Sequence, residues 1–256
     1  MQQISENLRR FATRSFLLLI VAASSALAEE RGGWSYRVTP YLWGSGLEGS
    51  VATLPPAGPI EVDASFSDIL KDLDLALMGT FEARSGGRLG FLADVLYMGL
   101  STDADTPGPL FSSADYEQDF WTFSVAATYA LIQEEGRFLD VVAGLTYWDL
   151  DNQLDLKAGI LEARRIKAHE TWLDPFIGVR TRVQLSERWF VAGQINSAIA
   201  GDSDSAWDIY GGIGYDLGGR YSIAAGYRHK EVDYSKREFL FDVEISGPIV
   251  GLAIDF

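Results

Sequence analysis

From Trp121 to Leu131 the chain alternates strictly. Trp121, Phe123, Val125, Ala127, Tyr129 and Leu131 are interleaved with Thr122, Ser124, Ala126, Thr128 and Ala130. Period two places each set on one face of a β-strand. The bulky set carries aromatics at its ends, and the opposite set is small or hydroxylated throughout. A soluble sandwich turns its bulky face toward a shared core. A strand that turns bulk outward around a narrow, polar interior suits a membrane barrel, with aromatic girdles at the two water interfaces. The last residues repeat the pattern: Pro248, Val250, Leu252, Ile254 and Phe256 oppose Gly247, Ile249, Gly251, Ala253 and Asp255.

The same alternation predicts ten strands, at about 34–44, 75–84, 88–100, 121–131, 137–150, 171–185, 189–199, 206–217, 220–230 and 245–256. Their connections fall into two classes. Ser85–Gly87, Gln133–Gly136, Ser186–Arg188 and Gly218–Gly219 are short turns. The segments 45–74, 101–117, 151–170, 200–205 and 231–244 are generally longer. Short turns on one side and long loops on the other define the outer-membrane arrangement, and an even strand number puts both termini on the short-turn, periplasmic side. The expected fold is therefore all-β: one antiparallel transmembrane β-barrel of ten strands, with eight as the alternative. Within the first long loop, Ser67–Leu73 has helical spacing of Ile69, Leu70 and Leu73, with Ser67 or Asp68 as the cap. This short helix is expected to fold over the rim; the alternative is a plug entering the lumen.

Residues 1–28 read as a signal peptide, followed by the barrel at 29–256. Arg9, Arg10 and Arg14 precede the apolar run Phe16–Ala28, and Ala26-Leu27-Ala28 fits a cleavage site. No later stretch supplies the run of about 20 apolar residues that a membrane helix needs. The chain carries 21 basic and 36 acidic residues; without Arg9, Arg10, Arg14 and Glu6 the balance is 18 to 35, a net charge of −17. The long loops carry −14 of this. Nucleic acid is excluded as a partner, because phosphate binding needs clustered Lys and Arg. The absence of Cys removes disulfide and thiol chemistry.

The stretch Val38-Thr-Pro-Tyr-Leu-Trp-Gly-Ser-Gly-Leu-Glu-Gly49, then Ser65-Phe-Ser-Asp68, Leu75-Ala-Leu-Met-Gly79 and the aromatic end, resembles a largely uncharacterised group of proteobacterial outer-membrane barrel proteins. The likeness spans the mature chain as a pattern, with its specific motifs mostly before residue 100. It implies the fold and the bacterial outer membrane as location; separately, the terminal Phe256 on its alternating strand resembles the assembly signal of outer-membrane barrels, read by the barrel-assembly machinery. It supplies no catalytic residues.

His169 and His229 are the two histidines: His169 lies beside Glu170 in an expected loop, and His229 lies near Glu231. A catalytic base needs an orienting partner and a nucleophile within reach. The Asp-x-His unit of omptin proteases and the His-x-Ser strand motif of lipid A deacylases are both absent, so the expectation is no enzyme and solvated histidines. The pairs Asp72/Asp74, Asp103/Asp105 and Asp202/Asp204 supply only part of the six or more oxygens calcium requires, so no metal or cofactor is expected.

Period two turns eleven charges inward: Arg37, Glu82, Arg84, Asp94, Asp140, Asp174, Arg180, Arg182, Asp208, Asp216 and Arg228. Unpaired charge in a narrow interior is costly, so mixed signs imply a lumen filled by salt bridges and water. Asp140 can reach Arg180 and Arg182 from the neighbouring strand; Asp208 would meet them across the interior. The expected function is a non-enzymatic structural or surface-interaction protein, monomeric, in contact with outer-membrane lipid and lipopolysaccharide. A narrow channel for ions or small solutes is the alternative.

Overall fold

A computed structural model describes residues 33–54, 58–106 and 108–256. The expected signal peptide lies outside the described residues. Twelve strands and one helix follow in order: β1 Trp34–Trp43, β2 Gly46–Ala52, β3 Ile60–Ala64, α1 Phe66–Asp72, β4 Leu73–Ser85, β5 Leu89–Asp105, β6 Phe111–Glu134, β7 Arg137–Ala158, β8 Arg164–Gln184, β9 Trp189–Ala198, β10 Ser205–Gly218, β11 Tyr221–Lys236 and β12 Phe239–Asp255.

Ten of these, β1 and β4 to β12, form a closed antiparallel ring in which each strand pairs with its neighbour in sequence. The ring shuts where β1 meets β12, from Arg37 opposite Asp255 to Trp43 opposite Ile249. The terminal residue belongs to this seam: Phe256 N–H donates to the Tyr36 carbonyl at 2.9 Å, and Tyr36 N–H to the Phe256 carbonyl at 3.3 Å. Closure leaves the membrane-spanning ring without an open edge, which the bilayer demands because lipid offers no hydrogen bonds. Ten strands, not the alternative eight, cross the membrane.

The outward face of the ring is apolar. Trp121, Phe123, Tyr129, Leu145, Ile177, Ile195, Ile213 and Leu252 are all exposed there. Aromatic pairs mark its borders. Tyr97 and Trp121 lie 4.3 Å apart at the extracellular border, and Trp189 with Tyr215 at 4.9 Å and Tyr36 with Phe81 at 6.2 Å mark the periplasmic one. From Trp121 to Tyr129 is about eight steps of about 3.4 Å; with a tilt of about 40° the height is roughly 21 Å, near the apolar band of a barrel.

The periplasmic turns fall where the sequence puts them. Gly136, Gly218 and Gly219 have φ of 76°, 99° and 66°, which only glycine adopts without strain. The extracellular side differs from the expectation of long loops. Segments 101–105, 111–117, 151–158, 164–170, 231–236 and 239–244 continue the strands, so the expected loop 231–244 reduces to a turn at Arg237–Glu238. In the expected first loop, β2 and β3 form a hairpin whose first strand prolongs β1 along β12, with Ser246 opposite Gly46 and Leu240 opposite Ala52. The short helix is real, but it starts one residue early. Ser65, rather than Ser67 or Asp68, is its N-cap, in a capping box with Asp68. No α1 residue is fully buried, though Ile69 packs on the apolar interior, so the helix covers the rim rather than entering the lumen.

Above the membrane the strands reverse their polarity. On β12, Phe239, Phe241, Val243 and Ile245 point inward and are buried, while Asp242 and Glu244 face water. Lipid surrounds the lower half of this strand and water the upper half. The large apolar side chains therefore change faces at the border.

Candidate functional site

The interior has three levels. The extracellular level is a packed aromatic plug. Trp148 on β7 stacks on its cross-strand partner Trp172 at 5.5 Å, and Trp172 stacks on Tyr234 of β11 at 4.2 Å, with planes 8° and 6° from parallel. Phe120 sits 6.1 Å from Trp148 and 5.9 Å from Phe241, tying β6 to β12. Trp148, Trp172 and Tyr234 are each no more than 2% exposed. Each such ring pair contributes about 0.5–1.5 kcal/mol beyond its buried area.

Cations form the floor of this plug. Lys230 Nζ lies 4.9 Å from the Trp148 ring, and the Arg228 guanidinium 5.2 Å from the Trp43 ring and 5.7 Å from Tyr41. Both cations are held by Asp208. Arg228 makes a two-pronged pair with it at 2.9 and 2.7 Å, and Lys230 approaches at 3.3 Å. Arg228 also reaches Asp94 at 3.3 Å and donates to the Tyr41 hydroxyl at 2.9 Å; the Tyr41 hydroxyl donates to Asp94 at 3.0 Å. A cavity of about 70 Å³ lies beside this cluster, lined by Asp94, Thr146, Trp148, Asn196, Asp208 and Lys230 among others. Trp148 Nε1 and Asn196 Oδ1 are buried without a protein partner, which suits water in this polar chamber.

The lower level holds a second cluster. Glu82 contacts Arg180 closely and lies 3.8 Å from both Arg37 and Arg84. Asp140 is fully buried between Arg84 at 2.5 Å and Arg180 at 3.5 Å. Arg37 turns its other edge to Asp255, at 2.7 and 3.1 Å. Arg182 meets Asp216 at 3.0 Å and lies over the Phe190 ring at 3.6 Å. Cavities of about 210 and 350 Å³ run between these groups toward the periplasmic end.

The eleven charges line the interior, and ten of them make ion pairs with one another or with Asp255 and Lys230. Asp174 is the exception. Its carboxylate accepts from Asp202 N–H, Ser203 N–H and the Ser203 hydroxyl, and so folds the β9–β10 loop onto β8. Asp140 reaches Arg180 from the next strand as expected. Asp208 does not cross the interior to Arg180 or Arg182; it is satisfied by Arg228 and Lys230 on the adjacent strand, in near register. Period two continued through Arg228 would have revealed Lys230. Asp255 and Tyr41 share the inward parity but carried no cue to their partners. The aromatic plug was hidden because its residues lie in segments that break the outward-apolar pattern.

His169 lies on a strand rather than in a loop, and His229 lies on β11, within the expected ninth strand. His169 on β8 is exposed, with Nε2 3.1 Å from Asp149. His229 on β11 has Nδ1 2.6 Å from the Ser246 hydroxyl. Of the acidic pairs, Asp74 accepts from the Ser101 hydroxyl at 3.0 Å and Asp202 from Leu173 N–H at 3.1 Å. Among the described residues no group of three or more acidic or histidine side chains is arranged to hold a metal ion.

A closed ring with an apolar belt, aromatic borders and a charged interior defines a bacterial outer-membrane β-barrel. Solved barrels share this architecture. The outer-membrane protease OmpT of Escherichia coli superposes with a TM-score of 0.57 at 11% identity, over 87% of this chain and 96% of that one. The translocator domain of the autotransporter NalP of Neisseria meningitidis gives 0.48 at 13% identity, over 97% and 98%. The attachment invasion locus protein Ail of Yersinia pestis gives 0.35 at 10% identity, over 88% and 100%. No protein-family model and no curated protein sequence matches the chain. The OmpT likeness corrects the expectation of a non-enzyme: this fold is shared with a protease, so the architecture does not exclude catalysis.

Proposed function

We propose that this outer-membrane barrel acts at the cell surface as a sealed structure rather than as a pore. The carrying observation is the stack Trp148–Trp172–Tyr234 across the extracellular end, backed by the Asp208 ion cluster. A conducting path would have to separate rings packed at van der Waals distance and strip Arg228 and Lys230 of their shared carboxylate, at a cost of several kcal/mol. Strands that project beyond the bilayer then serve to present a surface. Their outer face on β11, β12, β2 and β3 carries Asp233, Asp242, Glu244, Glu48, Asp63 and Glu61, adjacent in register. This extension is the part of the molecule available to lipopolysaccharide headgroups and to partners outside the cell.

Solute flux tests the reading. Proteoliposomes holding the refolded protein should not swell in sugars or amino acids of graded size. Swelling at the rate of a small porin would instead establish the narrow-channel reading.

A further inference from the structure

One polar constellation lies outside the lumen, on the lipid-facing surface. Ser246 of β12 and His229 of β11 are directly opposite in register, and Ser246 Oγ lies 2.6 Å from His229 Nδ1. Glu231, two residues along β11 on the same face, places Oε2 4.0 Å from His229 Nε2. A hydroxyl, an imidazole within hydrogen-bond reach and a carboxylate behind its second nitrogen are the three parts of an activated serine. The surrounding face is equally specific. The next outward pair toward the bilayer centre is Tyr227 with Pro248, and Ile209 flanks His229 on β10. Tyr227 is 56% exposed to lipid. The next outward residues toward the extracellular end are acidic, Glu231 and Glu244, themselves opposite one another. Ser246 therefore sits at the line where apolar surface gives way to charge.

We propose that Ser246, His229 and Glu231 form a hydrolytic site for acyl esters of lipids in the outer leaflet. An acyl chain lying along Tyr227, Pro248 and Ile209 brings its ester to the level of Ser246. Ser246 Oγ attacks the ester carbonyl carbon while His229 Nδ1 takes the hydroxyl proton. The tetrahedral intermediate expels the lipid alkoxide, which receives that proton from His229, leaving an acyl-serine. Water then attacks the acyl carbon, gives its proton to His229 and releases the free fatty acid; His229 returns the proton to Ser246. Glu231 acts as a positioning residue that orients the imidazole. This activity goes beyond the sealed-barrel reading and does not depend on it, because the site faces lipid and not the lumen.

The test uses the full refolded barrel, with folding checked by heat-modifiable gel migration. A fluorophosphonate probe should label Ser246, located by peptide mass, and Ser246→Ala should abolish labelling. Fatty-acid release is followed from phosphatidylethanolamine/phosphatidylglycerol vesicles and, separately, from purified lipopolysaccharide; the arm that responds identifies the source of the ester. His229→Gln should lower release about 100-fold or more, as loss of a general base does. Glu231→Gln should lower kcat about tenfold with KM unchanged, the pattern of a group that acts in the transition state. Folded wild-type protein with no label at Ser246 and no release in either arm overturns the proposal, as does release that persists in Ser246→Ala.

Discussion

Asp140 is fully buried, yet it is surrounded by its answer: Arg84 at 2.5 Å and Arg180 at 3.5 Å. Removing one partner of such a set leaves buried charge uncompensated, which costs about 3–5 kcal/mol. Asp140→Asn should therefore lower the unfolding free energy of the reconstituted barrel, read from urea titration, by that amount, whereas a solvent-facing change such as Glu134→Gln should leave it nearly unchanged. Asp233 shows the opposite situation. Partial burial first, and then Asp242 and Asp204, push its carboxyl above the ordinary range. A raised acid binds its proton more readily folded than unfolded, so its charge costs stability at neutral pH. That cost begins to shrink as pH falls through the folded-state value and is gone once pH lies below the ordinary carboxyl range. Asp242→Asn should raise stability at pH 7 and have little effect at pH 3, read from urea midpoints at each pH. The inward direction of Asp140 and the other lumen charges was legible, because parity alone fixes it. The pairing of Asp140 with Arg180 on the next strand was legible too, but the partners of Asp208 were not, because register between strands decides whether it meets Arg228 beside it or Arg182 across the lumen.

At the scale of the strand, two solvents act on one element. β6 presents Phe123, Val125 and Tyr129 to lipid, while its upper part turns Phe120 into the plug. Val125→Arg should destabilise by about 2–4 kcal/mol at mid-bilayer depth. Ser124→Arg, on the face where Ser124 meets the Thr146 hydroxyl at 2.9 Å, enters the polar lumen and should behave differently. Equal losses of stability for the two in lipid vesicles would contradict the facing. The membrane halves of all ten strands could be read from period two, since lipid outside and a narrow lumen inside give a clean contrast of size. The extracellular halves could not. In β11 and β12 the bulky residues move to the inward positions Val232, Tyr234, Phe239 and Phe241, and charge moves outward. A reading that follows one face sees this exchange as the end of the strand. The β2–β3 hairpin was missed for a related reason: each strand is short, and Gly44–Ser45 interrupts the alternation between β1 and β2.

For the whole molecule, the closed end is the property that separates a surface protein from a pore. The lower lumen contains cavities bordered by charge, and the aromatic plug stands between them and the extracellular solvent. Closure thus rests on few side chains, with Trp148 and Trp172 at their centre. Truncating a buried Trp costs about 3–5 kcal/mol and leaves a void that, beside Lys230 and the polar chamber below, will take up water. Single-channel recording in planar bilayers tests this most directly, with wild-type protein compared against the Trp148→Ala/Trp172→Ala double variant. The wild type should show no steady conductance and the double variant discrete openings. A large, stable wild-type pore that the double variant leaves unchanged would contradict closure by the plug.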